Sequence, residues 1–223
     1  LKVEKSQSVS VSADMYAQWG DWQGNLLVEG FYTDLSDVFA LTEIGVEDGV
    51  LIKERRNESG ARVFGGNLEG KLAYRSIWQI QAGMTLQKSD YKEAHAWAED
   101  VEAVTTMFRT PNLYGYFVTS YNPLKQLMLS LSGTYTGRML VEHHAGWIDA
   151  NRTEKTPDFF DMNFKAAYDF RLHGNIKLQL NAGVQNIFNA FQRDFDQGPD
   201  RDSGYIYGPS APRCFYLGVK LSY

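Results

Sequence analysis

The chain has 223 residues, of which 43% are hydrophobic and 22% charged, and this composition excludes a disordered or low-complexity protein. Its net charge of -5, without any run of lysines or arginines, argues against nucleic acid as a partner. Cys214 is the one cysteine, so no internal disulfide is possible; we interpret it as a small strand residue, with a reactive thiol as the alternative.

Most of the chain alternates apolar and polar residues with a period of two, which predicts β-strands with one apolar and one polar face. The first strand is predicted over Ser8–Trp19 and the second from Asn25 to about Ile44, with a bulge near Asp34 to Asp37. Further strands are predicted over residues 64–74, 78–87, 112–121, 126–136, 160–173, 176–188 and 214–223. The sequence therefore predicts about nine strands, whose apolar faces carry no charged residue.

The predicted connections alternate between short turns and long polar segments. Short turns are expected at Gly20–Asn25, Arg75–Ile77, Asn122–Lys125 and His173–Asn175. Long polar segments, the second of which contains a helix-like run over Glu93–Val104, cover residues 45–60, 88–111, 142–158 and 192–212. Short turns at one rim and long loops at the other are typical of an outer-membrane β-barrel.

The strands are about twice as long as the usual strand of about 5 to 6 residues, as crossing a membrane requires. Aromatic residues lie near strand ends, where a barrel has its interfacial girdles: Trp19, Tyr74, Trp78, Tyr168, Phe170 and Tyr223. The sequence contains no apolar run of about 18 residues, so no transmembrane helix is predicted. We predict an all-β, antiparallel up-and-down transmembrane β-barrel meander, in which Leu180 faces lipid and Gln179 faces a wet lumen. A soluble β-sandwich, whose strands also have one polar face, is the alternative fold.

Segments near the end of the chain resemble one known family. "GVQNIFNAF" (Gly183–Phe191) resembles the penultimate-strand signature of TonB-dependent outer-membrane receptors, in which an Asn, apolar residues and an aromatic residue end the strand. "PRCFYLGVKLSY" (Pro212–Tyr223) is similar to their last strand, although Tyr223 stands where Phe is more usual. "TPDFFDMNFKAAYDF" (Thr156–Phe170) is similar to the preceding strand. The rest of the chain resembles the family only as a barrel meander.

This resemblance implies a receptor that binds a scarce small molecule outside the cell and imports it actively. The expected ligand is a metal chelate or a corrinoid, namely an iron-siderophore, haem or a cobalamin-type compound. Such receptors have a barrel of about 22 strands around an N-terminal plug. Residues 1–223 are accordingly expected to be the C-terminal part of the barrel, without the plug domain and the N-terminal strands.

The resemblance also implies a location in the outer membrane of a Gram-negative bacterium, with the long loops outside the cell. Outer-membrane lipids are expected partners, and so is the TonB energy-coupling protein, through the absent N-terminal region. The assembly machinery is expected to recognise Tyr223. Neither enzymatic activity nor a cofactor is expected.

Side chains of the outer loops are the candidate ligand contacts. His143 and His144 stand near Trp147, and adjacent imidazoles could ligate a metal or a haem iron, although neighbouring strand residues point to opposite sides. Ordinary loop polarity is the alternative explanation. The other candidates lie in the second and the last long segments: His95, Trp97, Arg201, Tyr205 and Tyr207. The two tyrosines could stack on a flat ligand or belong to the aromatic girdle.

The last long segment is rich in aspartate, and its carboxylate oxygens could hold Ca²⁺. The metal candidates are Asp194, Asp196, Asp200 and Asp202. Their spacing does not match an EF-hand, and a solvated loop shaped by Gly and Pro is the alternative. No catalytic site is predicted, because the histidines have no convincing serine partner for a hydrolase barrel. A passive porin-like channel and a soluble β-sandwich binding module are the alternative functions.

Overall fold

The computed structural model describes residues 1–47, 50–172, 174 and 176–222. The strands in this part of the chain are β1 Lys5–Trp19, β2 Trp22–Glu47, β3 Val50–Tyr74, β4 Trp78–His95, β5 Val104–Thr106, β6 Leu113–Leu124, β7 Leu127–Thr136, β8 Leu140–His143, β9 Arg152–Lys155, β10 Phe159–Arg171, β11 Lys177–Gln185 and β12 Cys214–Ser222. Within the described residues, no helix is long and apolar enough to cross a membrane. Tyr223 and two residues of the predicted turn, His173 and Asn175, lie outside the described residues.

Among the described residues, nine strands form one antiparallel meander in the order β1-β2-β3-β4-β6-β7-β10-β11-β12. β5 pairs with the end of β4, and β8 pairs with β9 in a separate two-stranded sheet. The predicted all-β meander is confirmed. The β-sandwich alternative is wrong, because the apolar face of the meander is exposed where a second sheet would have to pack. Met84 and Leu217 on that face are 51% and 79% exposed.

The strand register collects aromatic residues into a row beside the short turns. Trp19 pairs with Trp22, Trp22 with Tyr74, Tyr74 with Trp78 and Trp78 with Tyr121. The ring centroids of Trp22 and Tyr74 are 4.8 Å apart, and those of Trp22 and Trp78 are 6.0 Å apart. All of these side chains lie on the apolar face, as an interfacial girdle requires.

A second aromatic level lies on the same face toward the other rim, where Tyr32 of β2 pairs with Phe64 of β3. Phe64 precedes Tyr74 by about ten residues, which corresponds to about 33 Å along an extended strand. A strand tilt of about 40° reduces this distance to about 25 Å, the height of the apolar band of an outer-membrane barrel. The two aromatic levels therefore have the spacing of the two girdles of a barrel wall.

The opposite face of the meander is polar and its side chains are hydrogen-bonded across strands. Asn67 donates to Glu29 at 2.8 Å and accepts a hydrogen bond from Thr85 at 2.8 Å. Tyr116 donates its hydroxyl to Glu69 at 2.7 Å. These bonds cross β2, β3, β4 and β6 in register, so the predicted polar lumen face is one connected surface.

The connection predicted over residues 45–60 is a hairpin rather than a loop. β2 continues to Glu47 and β3 begins at Val50, so the two strands extend beyond their pairing with β1 and β4. Charged residues on both faces, such as Lys53 and Glu54, conceal the alternation that predicts a strand. The bulge predicted near Asp34 to Asp37 is wrong, because the register is the same on both sides of Asp37, although this residue has a left-handed φ of 56°. The register shifts instead between Glu43 and Gly45.

Other connections also differ from the prediction. The helix-like run over residues 93–104 is wrong, because β4 extends to His95 and the chain then turns back to form β5 against β4. β6 continues to Leu124, so the turn before β7 is shorter than predicted. Pairing with a neighbouring strand outweighs local propensity in both places.

Candidate functional site

The long connections after β4, β7 and β11 fold together at the rim opposite the short turns. We call residues 96–112, 137–158 and 186–213 the loop cluster. It is joined by backbone hydrogen bonds, including one of 2.7 Å from the Arg109 amide to the Leu140 carbonyl. The loop cluster is therefore one folded unit and not a set of independent loops.

A small hydrophobic core attaches the loop cluster to the meander. Phe159 at the start of β10 is buried together with Val141, Tyr205 and Tyr207. Phe159 pairs with Thr136, which in turn pairs with Tyr114, and this row continues the polar face of the sheet. The loop cluster consequently covers the lumen side of the rim.

His143 is buried beside this core rather than exposed on the loop surface. Its ring is 6% exposed and stacks on Tyr205, with ring centroids 3.6 Å apart and an interplanar angle of 5°. The Nε2 atom lies 2.9 Å from a carboxylate oxygen of Asp196, whose other oxygen accepts a hydrogen bond from the Asp202 amide at 2.9 Å. These contacts join β8 to the last long segment.

Asp194 receives hydrogen bonds from two tyrosine hydroxyls, at 2.8 Å from Tyr205 and at 2.6 Å from Tyr207. Burial raises the pKa of Asp194, but the hydrogen bonds from the tyrosines outweigh it and hold the pKa below its ordinary value. Burial, followed by the hydrogen bond to Asp194, raises the pKa of Tyr207 to about 12, and the same two causes raise the pKa of Tyr205. Both tyrosines remain protonated donors at neutral pH.

Trp97 and His144 form a second contact between the connections. Trp97 is 2% exposed, and its indole nitrogen donates to the Thr153 hydroxyl at 3.0 Å. The rings of Trp97 and His144 meet edge to face, with centroids 4.6 Å apart. His95, at the end of β4, contacts Tyr91 instead, with ring centroids 5.3 Å apart.

The remaining candidates are exposed. Trp147 is 53% exposed, and Arg201 is exposed with its guanidinium donating to the Gly198 carbonyl at 2.8 Å. Trp147 lies in the wall of a cleft of about 310 Å³. The cleft is lined by His143, Trp147, Ile148, Arg152, Glu154, Asp194, Phe195, Asp196 and Tyr205. Of the predicted residues, Trp147 is therefore the exposed one in the cleft wall, while His143 and Tyr205 line the cleft from buried positions.

Three of the four predicted metal candidates, Asp194, Asp196 and Asp202, accept hydrogen bonds from the protein. Besides the contacts of Asp194 and Asp196, Asp202 accepts hydrogen bonds from the His144 amide at 2.9 Å and the Gly204 amide at 2.7 Å. In the described part of the chain, no group of three or more His, Cys, Asp or Glu residues could hold a metal ion. The aspartates shape the loop through its backbone amides.

Several residues that organise the loop cluster were missing from the prediction. Arg109 has a left-handed φ of 54° and donates to the carbonyl oxygens of Gly204, at 2.6 Å, and Ile206, at 3.1 Å. Gln192 is 1% exposed and bonds the backbone of both core tyrosines. Among these residues, only Asn186 belongs to a motif recognised in the sequence, as the Asn of "GVQNIFNAF". Its side chain forms hydrogen bonds with the backbone of Ala190 and closes the turn after β11.

The family model described as "TonB dependent receptor-like, beta-barrel" matches residues 1–187. The chain belongs to this TonB-dependent receptor family. The resemblance seen in the last strands is thereby confirmed, and β12, beyond the matched residues, continues the same meander by pairing with β11. Comparison with curated protein sequences gives no significant match.

Solved structures of bacterial receptors for iron compounds and siderophores have the same fold. The ferric-catecholate import receptor Fiu from E. coli K12 in its closed form is 21% identical, with a TM-score of 0.64 over 98% of this chain and 27% of Fiu. The siderophore receptor PirA from Acinetobacter baumannii is 14% identical, with a TM-score of 0.60 over 96% of this chain and 31% of PirA. A G324V mutant of the ferric enterobactin receptor PfeA from Pseudomonas aeruginosa is 16% identical, with a TM-score of 0.59 over 97% of this chain and 31% of PfeA. The chain spans less than a third of each.

In this receptor fold a larger cavity of about 790 Å³ lies between the loop cluster and the polar face. Arg109 and Pro111 border it on the loop side, and Glu29, Glu69 and Tyr116 border it on the strand side. The candidate site therefore has an outer cleft at Trp147 and an inner cavity beside the barrel wall.

Proposed function

We propose that this chain is a portion of a receptor in the outer membrane of a Gram-negative bacterium. The whole receptor binds a scarce solute at its outer loops and imports it with energy delivered by the TonB protein. Residues 1–223 supply the C-terminal part of the barrel wall and the outer loops, while a plug and further strands belong to the rest of the receptor. The aromatic levels and the exposed apolar face between them support the membrane location.

The observation that carries the proposal is the loop cluster folded over the polar face of a TonB-dependent receptor barrel. A passive porin-like channel is the less favoured alternative, because the matching family is one of TonB-dependent receptors. The family and its structural neighbours are receptors and not enzymes, and we propose binding and gated passage without a covalent step.

The proposed ligand is a ferric chelate of the catecholate type, by analogy with the ligands in the names of Fiu and PfeA. Trp147 and Phe195 expose aromatic rings at the outer cleft, and Arg152 lies beside them. Flat catecholate rings can stack on the aromatic side chains, while the guanidinium attracts the negative charge of the chelate. Haem and corrinoids remain alternative ligands of the same cleft.

In this proposal the buried candidate residues support the cleft and do not contact the ligand. His143, Tyr205, Tyr207 and Trp97 are too deeply buried to meet a large chelate, so they hold the cleft in shape. Arg201 and His144 are not among the residues that line the cleft, and His95 lies apart beside Tyr91. The assembly machinery recognises Tyr223, as in the prediction from the sequence.

Binding and uptake of ferric enterobactin by the full receptor test this proposal. Changing Trp147→Ala together with Arg152→Gln removes the stacking ring and the positive charge, and we expect binding to weaken by about 30-fold. Lys155→Gln, an exposed change in the same connection, is the matched control and retains binding. Uptake that continues in cells lacking TonB contradicts active import and favours the passive channel. Unchanged binding in the double variant contradicts the cleft.

A further inference from the structure

Directly beyond the Tyr32–Phe64 level, the charged side chains of the wall lie on one face. Over residues 5–8 of β1, 33–36 of β2, 61–63 of β3 and 88–92 of β4, every charged residue lies on the apolar face, and we call this set the rim patch: Lys5, Asp34, Arg62, Lys88, Asp90 and Lys92. The polar face at the same height presents uncharged side chains: Ser6, Thr33, Leu35, Ala61, Ser89 and Tyr91. This arrangement reverses the pattern of the strands below, where charges point to the lumen.

The rim patch has an excess of positive charge, with cations outnumbering carboxylates, although the chain as a whole has a net charge of -5. Lys92 is the most constrained cation: its ammonium lies 2.6 Å from Asp34 and 3.2 Å from the Ser36 hydroxyl, and its side chain is 20% exposed. Asp34 also accepts from Arg62 at 3.4 Å. Asp34 and Lys92 therefore form a fixed base for the patch.

Arg62 and Lys88 extend from this base. Their side chains are 59% and 62% exposed, although Arg62 contacts Asp34 and Lys88 lies 2.6 Å from Asp90. Arg62 pairs with Asp90 and Lys88 pairs with Phe64, so the two cations are diagonal neighbours on β3 and β4. Diagonal neighbours on adjacent strands are about 7–8 Å apart, close enough for two long side chains to reach one phosphate group.

The height of the patch determines which anion it meets. Lys88 is level with Phe64, and Arg62 is one side-chain step farther out on the same face. Aromatic girdles lie at the headgroup level of the bilayer, so these cations point sideways into the lipid headgroups rather than into the lumen. Basic residues at this level attract anionic lipids.

We propose that Arg62 and Lys88 bind the phosphate group of a phosphorylated lipid in the outer leaflet. Arg62 offers its planar fork and Lys88 a point charge to the phosphate oxygens. Lys92 and Asp34 position the arginine. The proposal rests on the outer-membrane location proposed above, and it adds a lipid partner that is separate from the imported solute and from its cleft.

Binding of fluorescent lipid A, a phosphorylated glycolipid, to the purified full-length receptor in mixed micelles tests this assignment. We expect the Arg62→Gln/Lys88→Gln variant to bind lipid A about 30-fold more weakly than the parent. The control is Lys165→Gln/Lys177→Gln, which removes the same charge from the polar face and leaves lipid A binding unchanged.

Dephosphorylated lipid A and inorganic phosphate separate the possible sources of binding. The parent receptor is expected to bind the dephosphorylated lipid as weakly as the Arg62→Gln/Lys88→Gln variant binds lipid A. Equal binding of the two lipids, an equal loss in the polar-face control, or complete competition by millimolar inorganic phosphate overturns the lipid site. Uptake of ferric enterobactin by the Arg62→Gln/Lys88→Gln variant distinguishes the lipid site from the proposed import function. If this variant transports normally and still binds lipid A as tightly as the parent, the lipid site is contradicted and the import function is not.

Discussion

The meander and the loop cluster obtain their stability in opposite ways. Apolar side chains of the meander point away from the protein, with Leu217 79% exposed, whereas the loop cluster buries Val141 completely and Trp97 to 2%. The meander is thus held by backbone pairing and needs lipid to cover its apolar face. The loop cluster has a small core of its own, so a change in one region should leave the other intact.

The sharpest test of this contrast is a charge on the apolar face. Leu180 pairs with Tyr168 and Val219, so Leu180→Arg places a guanidinium in the proposed hydrocarbon region. We expect it to cost about 2–4 kcal/mol of unfolding free energy in a bilayer. Unfolding of the receptor by urea in lipid vesicles measures the cost.

Gln179→Arg is the matched control for this change. Gln179 is the preceding residue on β11, and its side chain donates to Asp169 at 2.8 Å on the polar face. An arginine there stays in the wet lumen beside a carboxylate, so the free energy of unfolding should change little. Equal losses in the two variants would show that the assignment of faces is mistaken.

The wall was largely predictable because its signal is local. A period of two in the residues around Leu180 and Leu68 sets which side chains share a face, and the turns set the register. The extension of β2 and β3 to the hairpin at Glu47 and Val50 was not predictable in the same way. That hairpin has no consistently apolar face, so its sequence lacks the alternation.

A smaller loss of stability is expected when a methyl group is added beneath an aromatic ring of the polar face. Gly83 lies beneath the ring of Tyr116, and a Cβ added there would approach ring atom Cε1 to 2.7 Å. Gly83→Ala should displace Tyr116 from its hydrogen bond with Glu69 and cost about 1–3 kcal/mol. Gly70→Ala is the comparison, since a Cβ at Gly70 meets nothing within 4 Å. A loss at Gly70 as large as that at Gly83 would contradict this packing explanation.

The loop cluster was predictable only in its composition. His143, Tyr205 and Tyr207 were recognisable as candidates, but their burial depends on partners far away in the sequence, such as the Asp196 contact of His143. Arg109 illustrates the limit most clearly, because it joins the backbone at Gly204 and Ile206 across more than ninety positions. No local pattern encodes such a contact.

The most local effect is expected from a change that separates the loop cluster from the wall. Tyr205→Phe together with Tyr207→Phe removes both hydrogen bonds to Asp194, and we expect a loss of about 1 kcal/mol for each bond. Hydrogen exchange should become faster in residues 186–213 and remain unchanged in β3 and β4. Tyr114→Phe, on the polar face, is the control. Faster exchange throughout the meander would contradict the independence of the two regions.

Asp194, Tyr205 and Tyr207 also set the pH range over which the loop cluster is stable. The pKa of Asp194 is lower in the folded protein than in the unfolded chain, so its contribution is present above the ordinary carboxyl pKa of about 4 and is lost as the pH falls below it. The pKa of Tyr207 is raised to about 12, so its contribution is present below the ordinary tyrosine pKa of about 10 and is lost as the pH rises toward 12. Exchange protection of the loop cluster should therefore be constant between these limits and decrease outside them. Both limits depend on the hydrogen-bonded tyrosines, so in the Tyr205→Phe/Tyr207→Phe variant exchange protection should no longer decrease toward pH 12 and should decrease less at acidic pH. Loss of exchange protection near pH 7 in the parent protein would contradict this assignment.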